Sequence, residues 1–263
     1  MSLAVFTDEV LFKQTGIRIA FTSRVGGVSE EPYRSLNLGS HVNDDLQSVG
    51  TNRKLVLEAF GTETCPLIIP NQVHGDTIVE IASANSVDLA KVQEAASLGA
   101  DALIVETCDV AALLCYADCV PVIIVGPDKS VAVAHAGWRG VDNRICIQVL
   151  SQMASRAPLY STRDYCESTN IYIGAYIHSE CFEVSKDLAD HFEQSFGSTC
   201  RLDERHIDLG QALRIQLLGA GIKEERIADL NICTVCNTDL FFSYRAEGGV
   251  TGRHGAFAIK KSH

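Results

Sequence analysis

The sequence has no apolar run long enough to cross a membrane as a helix, which takes roughly 18 or more residues. Its longest candidate, residues 110–125, is interrupted by Asp118 and Pro121. Positive charge is also in short supply: 22 Lys and Arg stand against 33 Asp and Glu, a formal net charge of −11 over 263 residues. General binding to nucleic acid or to an anionic membrane surface needs a basic face, so neither partner is expected. Proline is scarce, with six in the chain, and no Pro/Ser-rich linker, low-complexity segment or internal repeat divides it. A single domain over residues 1–263 is expected. The opening residues MSLAVFTDEVLFKQTG mix acids with apolar side chains and lack the basic-then-apolar order of a secretory signal. A cytoplasmic protein is therefore expected, with its ten cysteines mostly free thiols.

What the sequence does have is a central block of short apolar runs. ADALIVET, VAALLCYAD, CVPVIIVG and SVAVAHAG are separated by turn residues. Such near-continuous apolar strands predict a sheet buried on both faces. Upstream, IRIAFTSRVGGVS reads as a strand entering a Gly-Gly turn, SVGTNRKLVLEAFG as a helix stopped by Gly61, and PLIIPNQVHGDTIVEIA as two strands around a polar turn. Residues 141–156 read as one amphipathic helix, with Val141, Ile145, Val149 and Met153 on a shared face. Downstream, NIYIGAYI reads as a strand, CFEVSKDLADHFEQSFG and IDLGQALRIQLLGAG as helices, and the tail FFSYRAEGGVTGRHGAFAIK as a hairpin about Gly248-Gly249. Strands and helices alternate irregularly, which predicts an α/β fold with mixed β-sheets and helices outside.

Three polar side chains stand at strand ends or breaks inside apolar sequence: His74, Cys119 and His135. Burying such groups unpaired is costly. Two imidazoles and a thiolate suit zinc, or copper if the centre is redox-active, and three ligands leave a fourth position open, as catalytic sites do. Their separations match no local zinc motif, and from pattern alone two hydrogen-bonded core histidines and a buried thiol are the commoner outcome. A Cys119–His135 nucleophile and base, with a third polar group orienting the histidine, is a further option. Cys233-Thr234-Val235-Cys236 is a lone CxxC with no second pair to complete a four-cysteine site, and reads as a turn carrying two thiols. Arg24, Arg139, Arg245 and Arg253 lie near glycine turns, where a guanidinium fork suits phosphate or carboxylate. Salt bridging to surface acids is the plainer role for each. His41 and Asp118 are additional polar candidates, and Trp138, the only tryptophan, reads as a core anchor beside the site.

Taken in order, TSRVGGVSEEPYRSLNLGSHVNDD, NQVHGD, ADALIVE, YADCVPV, VAHAGWRG and FFSYRAEGGVTGR cover nearly the whole chain. In these segments it resembles the family named after the bacterial protein YfiH, also called the multicopper polyphenol oxidase or laccase-domain family. The resemblance implies a layered sandwich of mixed β-sheets flanked by helices. It implies that His74, Cys119 and His135 are metal ligands, for zinc with copper as the alternative. It also implies a purine nucleoside phosphorylase acting on adenosine, inosine and methylthioadenosine, with adenosine deaminase activity. Purine nucleoside and phosphate are then the small-molecule partners. Cys119 and Asp118 are the expected catalytic residues, and Arg24, His41 and Arg245 the expected substrate-binding ones. Other family labels leave open a copper-dependent polyphenol oxidase, a Cys–His hydrolase or deamidase, and a peptidoglycan-editing factor. Against several coppers, the remaining histidines, His41, His178, His191, His206, His254 and His263, form no HxH pair. The chain departs from the family where a Gly-Pro segment usually precedes FEV: here IGAYIHSECFEV has no proline and carries His178 and Cys181.

Overall fold

A computed structural model describes residues 3–262. In chain order its main elements are β1 (Val5–Thr7), α1 (Glu9–Thr15), β2 (Ile17–Thr22), α2 (Leu46–Ala59), β3 (Leu67–Ile68), β4 (Ile78–Ile81), α3 (Ser86–Leu98) and β5 (Ala102–Val105). There follow β6 (Ala111–Tyr116), β7 (Val120–Val125), β8 (Val131–Ala136), α4 (Trp138–Asp142), α5 (Ile145–Ser155), α6 (Thr162–Ser168) and β9 (Asn170–Ile173). The chain ends through α7 (Lys186–Phe196), α8 (Leu209–Gly219), β10 (Ile227–Asp229) and β11 (His254–Lys260).

Two sheets form, of order β1-β2-β11-β6-β3 and β10-β9-β7-β8-β5-β4. Both are mixed. The first is antiparallel except for β3 beside β6, and the second is antiparallel except for β4 beside β5 and β10 beside β9. The pleat sends alternate side chains to opposite faces. In β7, Ile123 and Val125 enter a core with Ile19, Phe21, Leu114 and Ala256 of the other sheet, while Val122 and Ile124 enter a second core with Val149, Phe192 and Leu213 from the helices. A third core packs Ala20, Leu113 and Phe257 against Val56 and Leu57 of α2. The result is the helix–sheet–sheet–helix sandwich that the apolar runs and the resemblance imply.

Local chemistry sets the helix starts. Asp8, Asp45, Asn85, Ser161, Ser185 and Asp208 each accept a hydrogen bond from the backbone N–H three residues on, satisfying donors the helix leaves free. α4 starts differently, at Gly137 with no side-chain cap. Among the described residues no helix is long and apolar enough to cross a membrane. All ten cysteines are free thiols.

Two sequence expectations are corrected. The single helix over residues 141–156 is interrupted at Arg144, whose φ of 58° breaks the ladder between α4 and α5. The interruption lets α4 pack on β8 and α8 while α5 packs along β5 and β8, with the period-four apolar face still buried. The tail is not a hairpin about Gly248-Gly249: residues before β11 form successive turns, and β11 pairs with β2 and β6 instead. Ser243 and the Arg245 N–H of this turn region bind the Asp118 carboxylate, which competes with strand pairing there.

Candidate metal centre

The chain passes from the first sheet to the second at β3–β4 and again, after returning at β5–β6, at β6–β7. His74 lies in the first crossing, Cys119 in the second, and His135 on β8, paired with Pro121 just beyond Cys119. Gln72 fixes the first crossing against β6: its Nε2 donates to the Cys115 carbonyl and its Oε1 accepts from the Cys115 N–H, both at 2.8 Å. The ligand atoms of His74, Cys119 and His135 all lie within 4.8 Å of one another. Their imidazoles meet nearly edge-on, with ring centroids 4.8 Å apart and an interplanar angle of 75°. His135 is buried and His74 exposed towards solvent.

Asp101, which the sequence reading passed over, organises the cluster. Its fully buried carboxylate lies 2.7 Å from His135 Nδ1 and accepts the backbone N–H groups of Val73, His74 and Gly75 at 3.2, 3.0 and 2.7 Å. The bond at Nδ1 leaves His135 Nε2 for the cluster. Burial pushes Asp101 up, but His135 and the backbone N–H groups override it and hold the carboxyl below its usual range. The available signal was an acid directly ahead of the apolar strand ADALIVE, where an unpaired carboxylate would be too costly to bury.

Burial likewise pushes the Cys119 thiol up, yet the His135 charge and hydrogen bonds from both imidazoles bring it down to about 6. His135 is opposed by burial and raised to about 9 by Cys119 and Asp101. The pair therefore favours thiolate beside imidazolium. Soft sulfur, two imidazoles and a carboxylate-oriented histidine fit a zinc-type or copper ion. Gly137 completes the fit, since a Cβ there would stand 3.0 Å from Cys119 Sγ and 3.4 Å from His74 Cδ2.

The cluster opens into a cavity of about 540 Å³ lined by His41, Trp138, Arg139, Phe182, Tyr244, Arg245 and Arg253, among others. That volume is ordinary for a small-molecule site, roughly 300–1,000 Å³. His41 is present, its pKa lowered by burial and by Arg253 and Arg53. Arg245 is present and donates to the carbonyls of Cys181 and Glu183 at 3.2 and 3.0 Å. Arg24 is not brought to the cavity. Its guanidinium donates to the carbonyls of Arg34 and Thr238, pairs with Glu247 at 2.9 Å and lies over Phe242. Arg139 and Arg253, noted in the sequence but not preferred, take its place on the wall. Arg139 lies 4.2 Å over Trp138, and Arg253 donates to the carbonyls of Thr251 and Gly252.

Asp118 lines the cavity, but its carboxylate is occupied, accepting from Thr234 Oγ1 (2.6 Å), Ser243 Oγ (2.7 Å) and the Arg245 N–H (2.7 Å). With φ of 97° it occupies the left-handed region, and these bonds hold it there. These bonds tie the Cys119 turn to the turns before β11.

Over residues 18–261 the chain matches the family model described as multi-copper polyphenol oxidoreductase laccase. A purine nucleoside phosphorylase, YlmD, of Geobacillus stearothermophilus is 33% identical over 252 residues, covering 92% of this chain and 89% of that protein. A purine nucleoside phosphorylase of Deinococcus radiodurans is 34% identical over 239 residues, covering 89% and 85%. The crystal structure of the Bacillus licheniformis hypothetical protein YfiH is similar with a TM-score of 0.83 at 30% identity, covering 95% of this chain and 94% of that one. The YlmD structure from Geobacillus stearothermophilus gives 0.81 at 30% identity, covering 94% and 93%.

Proposed function

The chain belongs to the laccase-domain family of YfiH-type proteins, and from that membership and the site geometry we propose that it is a metal-dependent purine nucleoside phosphorylase with adenosine deaminase activity. Adenosine, inosine and methylthioadenosine are its substrates, zinc is its metal, and the cytoplasm is its location. One observation carries the reading: a three-ligand cluster with an open side faces a cavity whose wall holds Arg139, Arg245, Arg253 and His41 beside Trp138, Phe182 and Tyr244. Aromatic faces suit a purine, and guanidinium forks suit phosphate. When bound, the metal supplies Lewis acidity at its fourth position.

In phosphorolysis a phosphate oxygen bonds to C1′ of the ribose, the C1′–N9 bond breaks, and the electron pair leaves with the purine, which takes a proton. Arg139 and Arg253 hold the phosphate, and Arg245 shapes the wall against which the nucleoside lies. His41, kept neutral by its surroundings, offers one donor and one acceptor nitrogen. In the test, zinc-loaded protein with inosine and phosphate releases hypoxanthine and ribose 1-phosphate, and His74→Ala abolishes this reaction and adenosine turnover. No hypoxanthine from the zinc-loaded protein, or undiminished adenosine turnover in His74→Ala, overturns the reading. Elemental analysis separates zinc from copper and with it the polyphenol oxidase alternative.

A second reading rests on the order Cys119–His135–Asp101, which is that of nucleophile, base and orienting acid. A Cys–His hydrolase or deamidase would keep its activity after chelation and lose it on alkylation of Cys119. The metalloenzyme loses activity on chelation and recovers it with zinc.

A further inference from the structure

A second cluster of soft ligands lies away from the His74–Cys119–His135 centre. Cys233 and Cys236 belong to the turn after β10, and the segment after β9 brings Cys181 to them, with Cys181 Sγ 3.6 Å from Cys236 Sγ. Cys233 Sγ accepts the His178 N–H at 3.5 Å. The three sulfurs and one Glu180 carboxylate oxygen all lie within 4.8 Å of one another. Cys233 is buried, Cys181 half-buried, and Cys236 and Glu180 reach solvent. Beside them, His178 Nε2 is buried without a hydrogen-bond partner among the described residues, and its Nδ1 is 3.8 Å from Glu180.

We propose that Cys181, Cys233 and Cys236, with Glu180 as fourth ligand, bind a second divalent cation of the zinc type. The CxxC supplies two thiolates at the spacing structural zinc sites use, and the third thiolate and the carboxylate come from a different segment. Four protein ligands close the coordination sphere, whereas the cavity centre has three. The thiols release their protons to solvent on binding, and the cation offsets the mutual repulsion of the thiolates left behind. A Cys181–Cys236 disulfide would satisfy only two of the three sulfurs and would leave Glu180 without a role.

The consequence reaches the cavity. Such an ion clips residues 178–183 to residues 233–237. Arg245 holds the carbonyls of Cys181 and Glu183, Phe182 and Arg245 line the cavity, and Thr234 binds Asp118. The second ion is therefore a staple for one wall of the first site.

The experiment is metal stoichiometry on full-length protein purified with reductant and zinc, then dialysed. The wild type holds one zinc more than either His74→Ala or Cys236→Ser, and the double variant holds none. Cobalt in the His74→Ala protein gives thiolate-to-cobalt charge-transfer absorption, which Cys236→Ser removes. Cys181→Ser repeats the loss of one equivalent, and near-UV circular dichroism confirms that each variant is folded. A folded His74→Ala protein that binds no zinc with its thiols reduced overturns the proposal. So does a stoichiometry unchanged by both cysteine variants, or a Cys181–Cys236 disulfide that persists in reductant.

Discussion

Asp101 is the residue on which both histidines of the cavity centre depend. One oxygen meets His135 Nδ1 and the N–H of His74, and the other gathers the N–H groups of Val73 and Gly75. Asp101→Asn replaces an acceptor by an NH₂ group that faces donors. Loss of an orienting partner of this kind typically costs 10–100-fold in metal affinity. A fall of about that size is expected in a zinc titration against a competing chelator, with the far-ultraviolet circular dichroism unchanged. Equal affinity in the variant would show that Asp101 only closes a turn. Cys119 behaves differently from the other thiols because of its neighbours: burial pushes Cys146 up to about 12 with nothing opposing it, and pushes Cys115 up to about 11 against the charges of Arg53 and Arg253, which no hydrogen bond from an imidazole reinforces.

At the scale of elements, the arginines sort by where their donors go. Arg24 ties the strand-end turn after β2 to the turns before β11, through Arg34, Thr238 and Glu247. Arg139, at the start of α4, touches Trp138 and faces the cavity. Arg139→Ala is expected to raise the KM for phosphate roughly tenfold, the value of one charge-assisted hydrogen bond, with little change in melting temperature. Arg24→Ala is expected to do the reverse, losing about 1–3 kcal/mol of stability with the phosphate KM unchanged. Steady-state kinetics beside thermal melts of the two variants decides it, and a raised KM in Arg24→Ala would return that residue to the site. The central strands were legible because their apolar runs have a physical cause, burial on both faces. His74, Cys119 and His135 stood out as polar breaks in those runs. Asp101 did not, although it too stands at the edge of an apolar run, because its partners, His135 and three backbone N–H groups, come from segments distant in the sequence. The direction of the Arg24 guanidinium was not legible, because a glycine turn marks a place near the surface without saying which way the chain turns. The Cys181–Cys233–Cys236 cluster was hidden for a related reason: a CxxC alone is ambiguous, and its partner comes from a segment far away in the sequence.

Over the whole molecule, acid stability follows from a group the site does not use. His254 at the start of β11 is fully buried beside Tyr116 and Phe241, and neither ring nitrogen has a hydrogen-bond partner among the described residues. Burial, offset only in part by the nearby Ala175 backbone and reinforced by Arg253 and Arg24, lowers its pKa from 6.5 to about 3. Below pH 6.5 the unfolded chain takes a proton that the folded protein refuses until about pH 3, so stability falls with pH across that window. Between pH 6.5 and 5, where most carboxylates stay ionised, the loss is about 2 kcal/mol. His254→Leu is expected to flatten the melting temperature over that interval, and parallel slopes for variant and wild type would exclude His254 as the cause. The two crossings from the first sheet to the second have a consequence of another kind. Because His74 and Cys119, the ligands proposed above, sit where the chain leaves one sheet for the other, a half-assembled sandwich would have no place for the proposed ion. Free metal at a hundred times its dissociation constant adds about 2.7 kcal/mol to the folded state alone. On that proposal, metal supply would select for finished molecules, and a chain starved of it would stay longer within reach of proteases.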